Sequence, residues 1–262
     1  MNMNISSQAD AIDQLSVLAE ADTHSVLIAG VSGCGKTYLA RKYATLLSIS
    51  DFYLVDAKVA DLRQIMESSA ELRNPIVVCI ENLDKGAQGA SFTILKFLEE
   101  PKKNVYVVVT CCNIRMVPDT ILSRCACIDV LSPSYQDLLD YCKAVHLDKF
   151  ASIYDSDIKL CIDSFADIDY LSTLTDIQMN YISELSHIIP FSGPVSNVVW
   201  KLTHFSDNTD IRRNIGIRYV FRKWNTLHVT KAALQCLQDI DERRVAAHAA
   251  VTAFVFKCKY IK

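Results

Sequence analysis

One octet carries the strongest chemical signal in the chain: Gly30-Val31-Ser32-Gly33-Cys34-Gly35-Lys36-Thr37, followed by Tyr38. The glycines let the backbone wrap close to a polyphosphate. Successive N–H groups and the N-terminus of a following helix then meet its negative charge. At this spacing Lys36 reaches the β- and γ-phosphates of ATP, and the Thr37 hydroxyl ligates Mg²⁺. Residues 30–38, Tyr38 included, are therefore the candidate nucleotide contacts. The chain has only seven glycines, and three lie in this octet, so the pattern is no by-product of a glycine-rich composition. The plain alternative is a glycine-rich turn with a surface lysine.

Nucleotide chemistry also needs an acid at the end of a neighbouring strand to hold the metal. The apolar run Ile76–Ile80 ends in Glu81-Asn82-Leu83-Asp84, which puts Glu81 at that place. The alternative for Glu81 is a strand-end carboxylate facing solvent. Many such enzymes use a following Glu to orient the attacking water, and here that position is Asn82. An amide holds a water but cannot accept its proton, which leaves slow or absent hydrolysis open.

These residues need a scaffold, and the apolar pattern supplies one. Ser25–Ala29, Phe52–Val55, Ile76–Ile80, Val105–Thr110 and Cys127–Val130 read as strands. Between them Lys36–Leu47, Leu62–Ala70 and Gln88–Glu100 read as helices, and Pro118 opens a short one. Ile12, Leu15 and Leu18 fit an amphipathic helix before the first strand, and Phe92, Leu95 and Leu98 are expected on one face of the fourth helical segment. Alternation of this kind predicts an α/β fold with a five-stranded parallel sheet covered on both faces. After Ser132-Pro133 only helical spacing follows. Pro190 and Gly193-Pro194 mark a second boundary, which gives units at 1–131, 132–190 and 191–262. Leu234, Leu237, Val245, His248, Val251 and Val255 are expected inside a helical hairpin.

At 50% apolar and 22% charged residues, the composition argues against long disorder. No apolar run approaches the roughly 18–20 residues of a membrane span, so no membrane partner is expected. Met1 to Asp13 lacks the basic and apolar regions of a secretory signal. The ten cysteines form no CxxC pair and several lie in strand-like runs. That placement suggests a reducing, cytoplasmic compartment and argues against a four-cysteine zinc site. The six histidines show no ligand spacing. Residues 201–262 carry 12 Lys and Arg against 5 Asp and Glu, although the whole chain has a net charge of −3. The cluster Arg212, Arg213, Arg218, Arg222 and Lys223 reads as a solvated face, a subunit contact or a phosphate contact. Trp200 and Trp224 read as core or interface residues.

The stretch Leu95–Pro101 (LKFLEEP), followed by a strand and then Ile121–Cys125 (ILSRC), resembles the AAA+ subunits of DNA-polymerase sliding-clamp loaders. It looks most like the gamma and delta-prime type of DNA polymerase III in bacteria and their phages. The resemblance covers Ser7 to about Val130 and extends more weakly into the C-terminal helices. It implies an AAA+ ATP-binding domain (1–131), a helical lid (132–190) and an all-helical collar for oligomerisation (191–262). The cofactors it implies are ATP and Mg²⁺. The partners it implies are sibling subunits in a hetero- or homo-pentamer, a sliding clamp and primer–template DNA.

Residue by residue, Lys36 and Thr37 match the family's nucleotide contacts and Glu81 its Mg²⁺ acid. Asn113 matches sensor 1, a polar group near the γ-phosphate. Arg124 of Ser123-Arg124-Cys125 matches the arginine finger, which acts on ATP bound by the neighbouring subunit. A guanidinium fork suits charge on a transferring phosphoryl group. The chain also departs from the pattern. Asn82 replaces the catalytic Glu, Val195 stands near the place of the sensor 2 arginine, and Asp51–Asn74 holds no cysteine where many bacterial members carry a four-cysteine zinc module. Three readings follow: an ATP-hydrolysing subunit, a delta-prime-like structural subunit that donates Arg124, or another replication ATPase such as a helicase loader.

Overall fold

The computed structural model describes residues 5–68, 74–86, 88–99, 102–145, 162–173, 232, 235–236 and 252–255. Five strands form one sheet: β1 (Ser25–Gly30), β2 (Asp51–Asp56), β3 (Ile76–Glu81), β4 (Val105–Cys111) and β5 (Ala126–Val130). Their order is β2-β3-β4-β1-β5, and every pairing is parallel. The helices are α1 (Ser6–Glu20), α2 (Lys36–Leu46), α3 (Val59–Ser68), α4 (Gln88–Glu99), α5 (Asp119–Leu122), α6 (Tyr135–Val145) and α7 (Phe165–Ser172). This is the α/β fold with a five-stranded parallel sheet that the alternation predicts.

Successive strand residues point to opposite faces, and each face has its own core. Val26, Ile28, Val77, Cys79 and Val108 pack with Leu15 of α1 and Leu39 and Tyr43 of α2. Leu27, Val78, Ile80, Val107 and Val109 pack with Leu62 of α3 and Ile94 and Phe97 of α4. Central strands covered on both sides must be apolar throughout, which is why IVVCI and VYVVVT carry no alternation. The edge strand β2 is mostly exposed, with Tyr53 and Leu54 open to solvent.

One expected face is wrong. Phe92 does not share the buried side of α4 with Leu98; it is 74% exposed. The buried stripe is Ala90, Ile94, Phe97 and Leu98. Those positions repeat at i, i+4, i+7 and i+8. Phe92, two residues before Ile94, is turned about 200° away at the helical pitch.

The chain divides into two compact units, Met1–Asp140 and Tyr141–Lys262. In the first, Asp137 ties the start of α1 to the start of α6. Its carboxylate accepts hydrogen bonds from Ser6 N at 2.7 Å, Ser6 Oγ at 2.8 Å, Ser134 N at 2.9 Å and Ser134 Oγ at 2.6 Å. In the second, α7 buries Phe165, Ile168 and Leu171, and the Tyr141 hydroxyl donates to Asp169 at 2.8 Å. Val255 is buried; the other expected hairpin residues lie outside the described residues. So do Arg212, Arg213, Arg218, Arg222, Lys223, Trp200, Trp224, Val195, and the boundaries at Pro190 and Gly193-Pro194.

Among the described residues no helix is long and apolar enough to cross a membrane. The eight described cysteines are free thiols.

Candidate functional site

The predicted octet leaves β1 at Gly30 and enters α2 at Lys36, so the first helical turn stands directly behind the loop. Glycine is favoured at three positions of the loop, at Gly33 and Gly35 by a positive φ and at Gly30 by space. Gly35 caps the helix with φ of 96°, a left-handed conformation that an L side chain avoids. At Gly30 the constraint is space. A Cβ there would sit 2.9 Å from Cys34 Sγ and 2.9 Å from the Val130 carbonyl oxygen.

Cys34 turns its side chain into the core, and its carbonyl accepts a hydrogen bond from Gln8 Nε2 at 2.8 Å. Burial pushes its thiol pKa up, and the nearby Lys36 only partly offsets this. A neutral thiol therefore underlies the loop, and Cys34 meets a ligand through its backbone. Val31 and Ser32 are exposed on the loop, Gly33 takes φ of 76°, and Tyr38 packs as a half-buried ring against the α1–α2 core.

Lys36 is buried, and its ammonium folds back on its own loop. Nζ donates to Gly30 O at 2.8 Å and to Val31 O at 2.9 Å, and lies 3.5 Å from Cys112 Sγ. The next residue reaches across the sheet ends: the Thr37 hydroxyl donates to Glu81 Oε1. A hydroxyl and a carboxylate brought together here form a hard oxygen pair of the kind Mg²⁺ takes. The donor set fits that ion.

Glu81 ends β3 level with Asp56, the last residue of β2. Both line an open cavity of about 560 Å³ with Asp61 and Gln64 of α3. Asn82 follows in a left-handed conformation, φ 53° and ψ 48°, which Asn tolerates better than most residues. Its N–H donates to Thr110 Oγ1 at 3.3 Å.

Asn113 follows β4, and two hydrogen bonds fix its place. The Asp84 carboxylate accepts from Cys112 N and Asn113 N, each at 3.1 Å. Asn113 Oδ1 accepts from Arg115 N at 3.1 Å, which leaves the side-chain NH₂ as its donor. Sequence reasoning passed over Asp84. Its signal was a carboxylate three residues after the strand-end acid, and only the β3–β4 pairing shows what it serves.

Arg124 stands apart from this group. Its Nη1 donates to Thr120 O at 2.7 Å and to Ser123 Oγ at 3.3 Å, and its Nη2 lies 3.0 Å from Glu99 Oε1. None of these partners belongs to the phosphate loop. The structure thus brings Lys36, Thr37 and Glu81 to one place, ties Asn113 to the β3 end through Asp84, and leaves Arg124 exposed elsewhere.

Comparison with known proteins places the chain near subunits of DNA polymerase III. The sequence model of a family described as DNA polymerase III, delta subunit, matches residues 53–134. That stretch holds Glu81, Asn82, Asn113 and Arg124 but begins after the phosphate loop. Two curated relatives are each named DNA polymerase III subunit gamma. The one from Buchnera aphidicola subsp. Baizongia pistaciae is 27% identical over 132 residues, 39% of this chain and 36% of that protein. The one from Buchnera aphidicola subsp. Schizaphis graminum is 24% identical over 173 residues, 55% of this chain and 47% of that protein. The match thus spans less than half the length of either relative.

Among solved structures, a DNA polymerase III gamma subunit-related protein of Thermotoga maritima aligns with TM-score 0.48 at 13% identity, covering 89% of this chain and 77% of that one. The Thermotoga maritima RuvB Holliday junction branch migration motor aligns with TM-score 0.47 at 16% identity, covering 82% and 87%. The family and sequence matches thus relate part of this chain to subunits of DNA polymerase III.

Proposed function

We propose that this chain is an ATP-binding subunit of a clamp loader. It works with sibling subunits in a cytoplasmic, five-membered ring or spiral that opens a sliding clamp and places it on primer–template DNA. The observation that carries the reading is the meeting of Thr37 with Glu81 beside a lysine already folded onto its glycine loop.

In this reading each group has its own task. Lys36 exchanges the Gly30 and Val31 carbonyls for β- and γ-phosphate oxygens and offsets their charge. Thr37 and Glu81 would hold Mg²⁺, which when bound would spread the charge of the triphosphate. The loop N–H groups and the start of α2 cradle the phosphates. Asn113, its oxygen occupied by Arg115 N–H, offers its NH₂ toward the γ-phosphate. Arg124 faces outward and serves the nucleotide of the next subunit. ATP then bonds two subunits at once, and its loss loosens them, a coupling between sites.

Asn82 favours a second reading, a delta-prime-like stator that binds nucleotide without turning it over. A left-handed backbone suits Asn at this position, and its amide cannot take a proton from water.

The test is affinity purification of the tagged chain from its native cell in a Mg·ATP analogue, followed by mass spectrometry. Recovery of a sliding clamp with sibling ATPases is expected. Recovery of a replicative helicase and no clamp overturns the reading. ATP turnover at this chain's own site, with clamp and primed DNA present, separates motor from stator.

A further inference from the structure

The two motifs that carry the family resemblance, LKFLEEP and ILSRC, are separated by a strand and meet in space. Glu99, near the end of α4, lies 3.0 Å from Arg124 Nη2, while Thr120 O at 2.7 Å and Ser123 Oγ at 3.3 Å accept from Nη1. We propose that Glu99 is a positioning residue for Arg124, holding the guanidinium in the orientation from which it reaches the triphosphate bound by a neighbouring subunit. This rests on the reading of Arg124 as a finger that acts in trans.

Three observations support it. The guanidinium is planar and its donors form a rigid fork, so contacts at both Nη atoms set the plane of the whole group. These contacts need at most three of its five N–H donors, so the same side chain can hold Glu99 and still present donors to a phosphate oxygen. The pair is also poorly placed to serve stability. The side chains are 36% and 51% exposed, and exposed ion pairs of this kind contribute little to folding. What the contact does supply is a preset geometry for a long side chain that would otherwise lose entropy on docking. Glu99 belongs to α4, which packs into the α/β core, rather than to the turn that carries Arg124, so the finger is referenced to that core.

The experiment is ATP turnover by the complete assembly, reconstituted with this chain as wild type, Glu99→Ala, Glu99→Gln or Arg124→Ala. Mg·ATP affinity of each isolated chain is measured alongside. Glu99→Ala is expected to lower assembly turnover about tenfold, in line with the cost of a slightly misplaced catalytic group. Affinity at the chain's own loop should stay unchanged. Glu99→Gln keeps an acceptor oxygen at the same reach and should recover most of the loss. If Arg124→Ala abolishes turnover while Glu99→Ala leaves it intact, the positioning role is overturned and the finger survives. If Glu99→Ala weakens the chain's own nucleotide affinity as much as assembly turnover, its role is structural and the proposal falls. If Arg124→Ala changes nothing, the finger reading itself fails.

Discussion

Lys36 and Arg124 are both cations assigned to a triphosphate, and the protein treats them in opposite ways. Lys36 is buried and held by two carbonyls of its own loop, with Thr37 and Glu81 beside it. Arg124 is 36% exposed and held by one carboxylate that is itself 51% exposed, plus acceptors within its own short turn. A group that serves its own chain can be built into the core, where packing fixes it. A group that serves another chain has to reach the surface, where a few directional contacts must fix it instead. Burial and exposure thus separate the cis half of the proposed site from the trans half.

The sharpest way to break this comparison is Arg124→Ala. We expect the turnover of the assembled complex to fall on the order of 10³-fold, the range seen when such a finger is removed. The chain's own affinity for Mg·ATP should be unchanged, as calorimetry would show. A smaller effect is expected from Asp84→Ala, which removes the acceptor of the Cys112 and Asn113 N–H groups. Assembly turnover should drop about tenfold as Asn113 loses its register, with chemical denaturation little altered.

Gly30→Ala probes the packed half. Its Cβ would meet the Val130 carbonyl, which is backbone and cannot swing aside, so urea unfolding should show a loss of about 1–3 kcal/mol. The smallest effect concerns pH. Burial alone would raise the Asp137 carboxyl, but hydrogen bonds from Ser134, Ser6 and Ser7 outweigh it and hold the pKa well below the usual carboxylate value. A depressed folded pKa contributes stability above the unfolded value of about 4, and that stability is lost as pH falls through the folded value. Stability measured from pH 7 downward should therefore fall less steeply in Asp137→Asn than in the wild type. Parallel curves would show that Asp137 carries no such linkage.

The sheet was legible because its central strands are buried on both faces and read as unbroken apolar runs. The octet was legible because a tight phosphate loop demands its glycines, Gly30 for space and Gly33 and Gly35 for backbone angle. Phe92 misled because a spacing of three fits a helix face without saying which face is inside; Ile94 and Phe97 decide that by packing on β3 and β4. Asp84 and Glu99 stayed hidden because each acts through a partner distant in sequence. Asp84 meets Asn113 only once β3 and β4 pair, and Glu99 meets Arg124 only once α4 and α5 pack.

The central claim is that the two cations act on different nucleotides. The direct measurement is a pair of titrations, Mg·ATP into Lys36→Ala and into Arg124→Ala, each followed by turnover of the assembly that contains the variant. The account predicts that Lys36→Ala loses affinity about a hundredfold or more, since a charge-assisted phosphate contact is gone, while Arg124→Ala binds as the wild type does and loses only turnover. If Arg124→Ala lost its own affinity as Lys36→Ala does, both residues would belong to one site, and the division into cis and trans halves would be wrong.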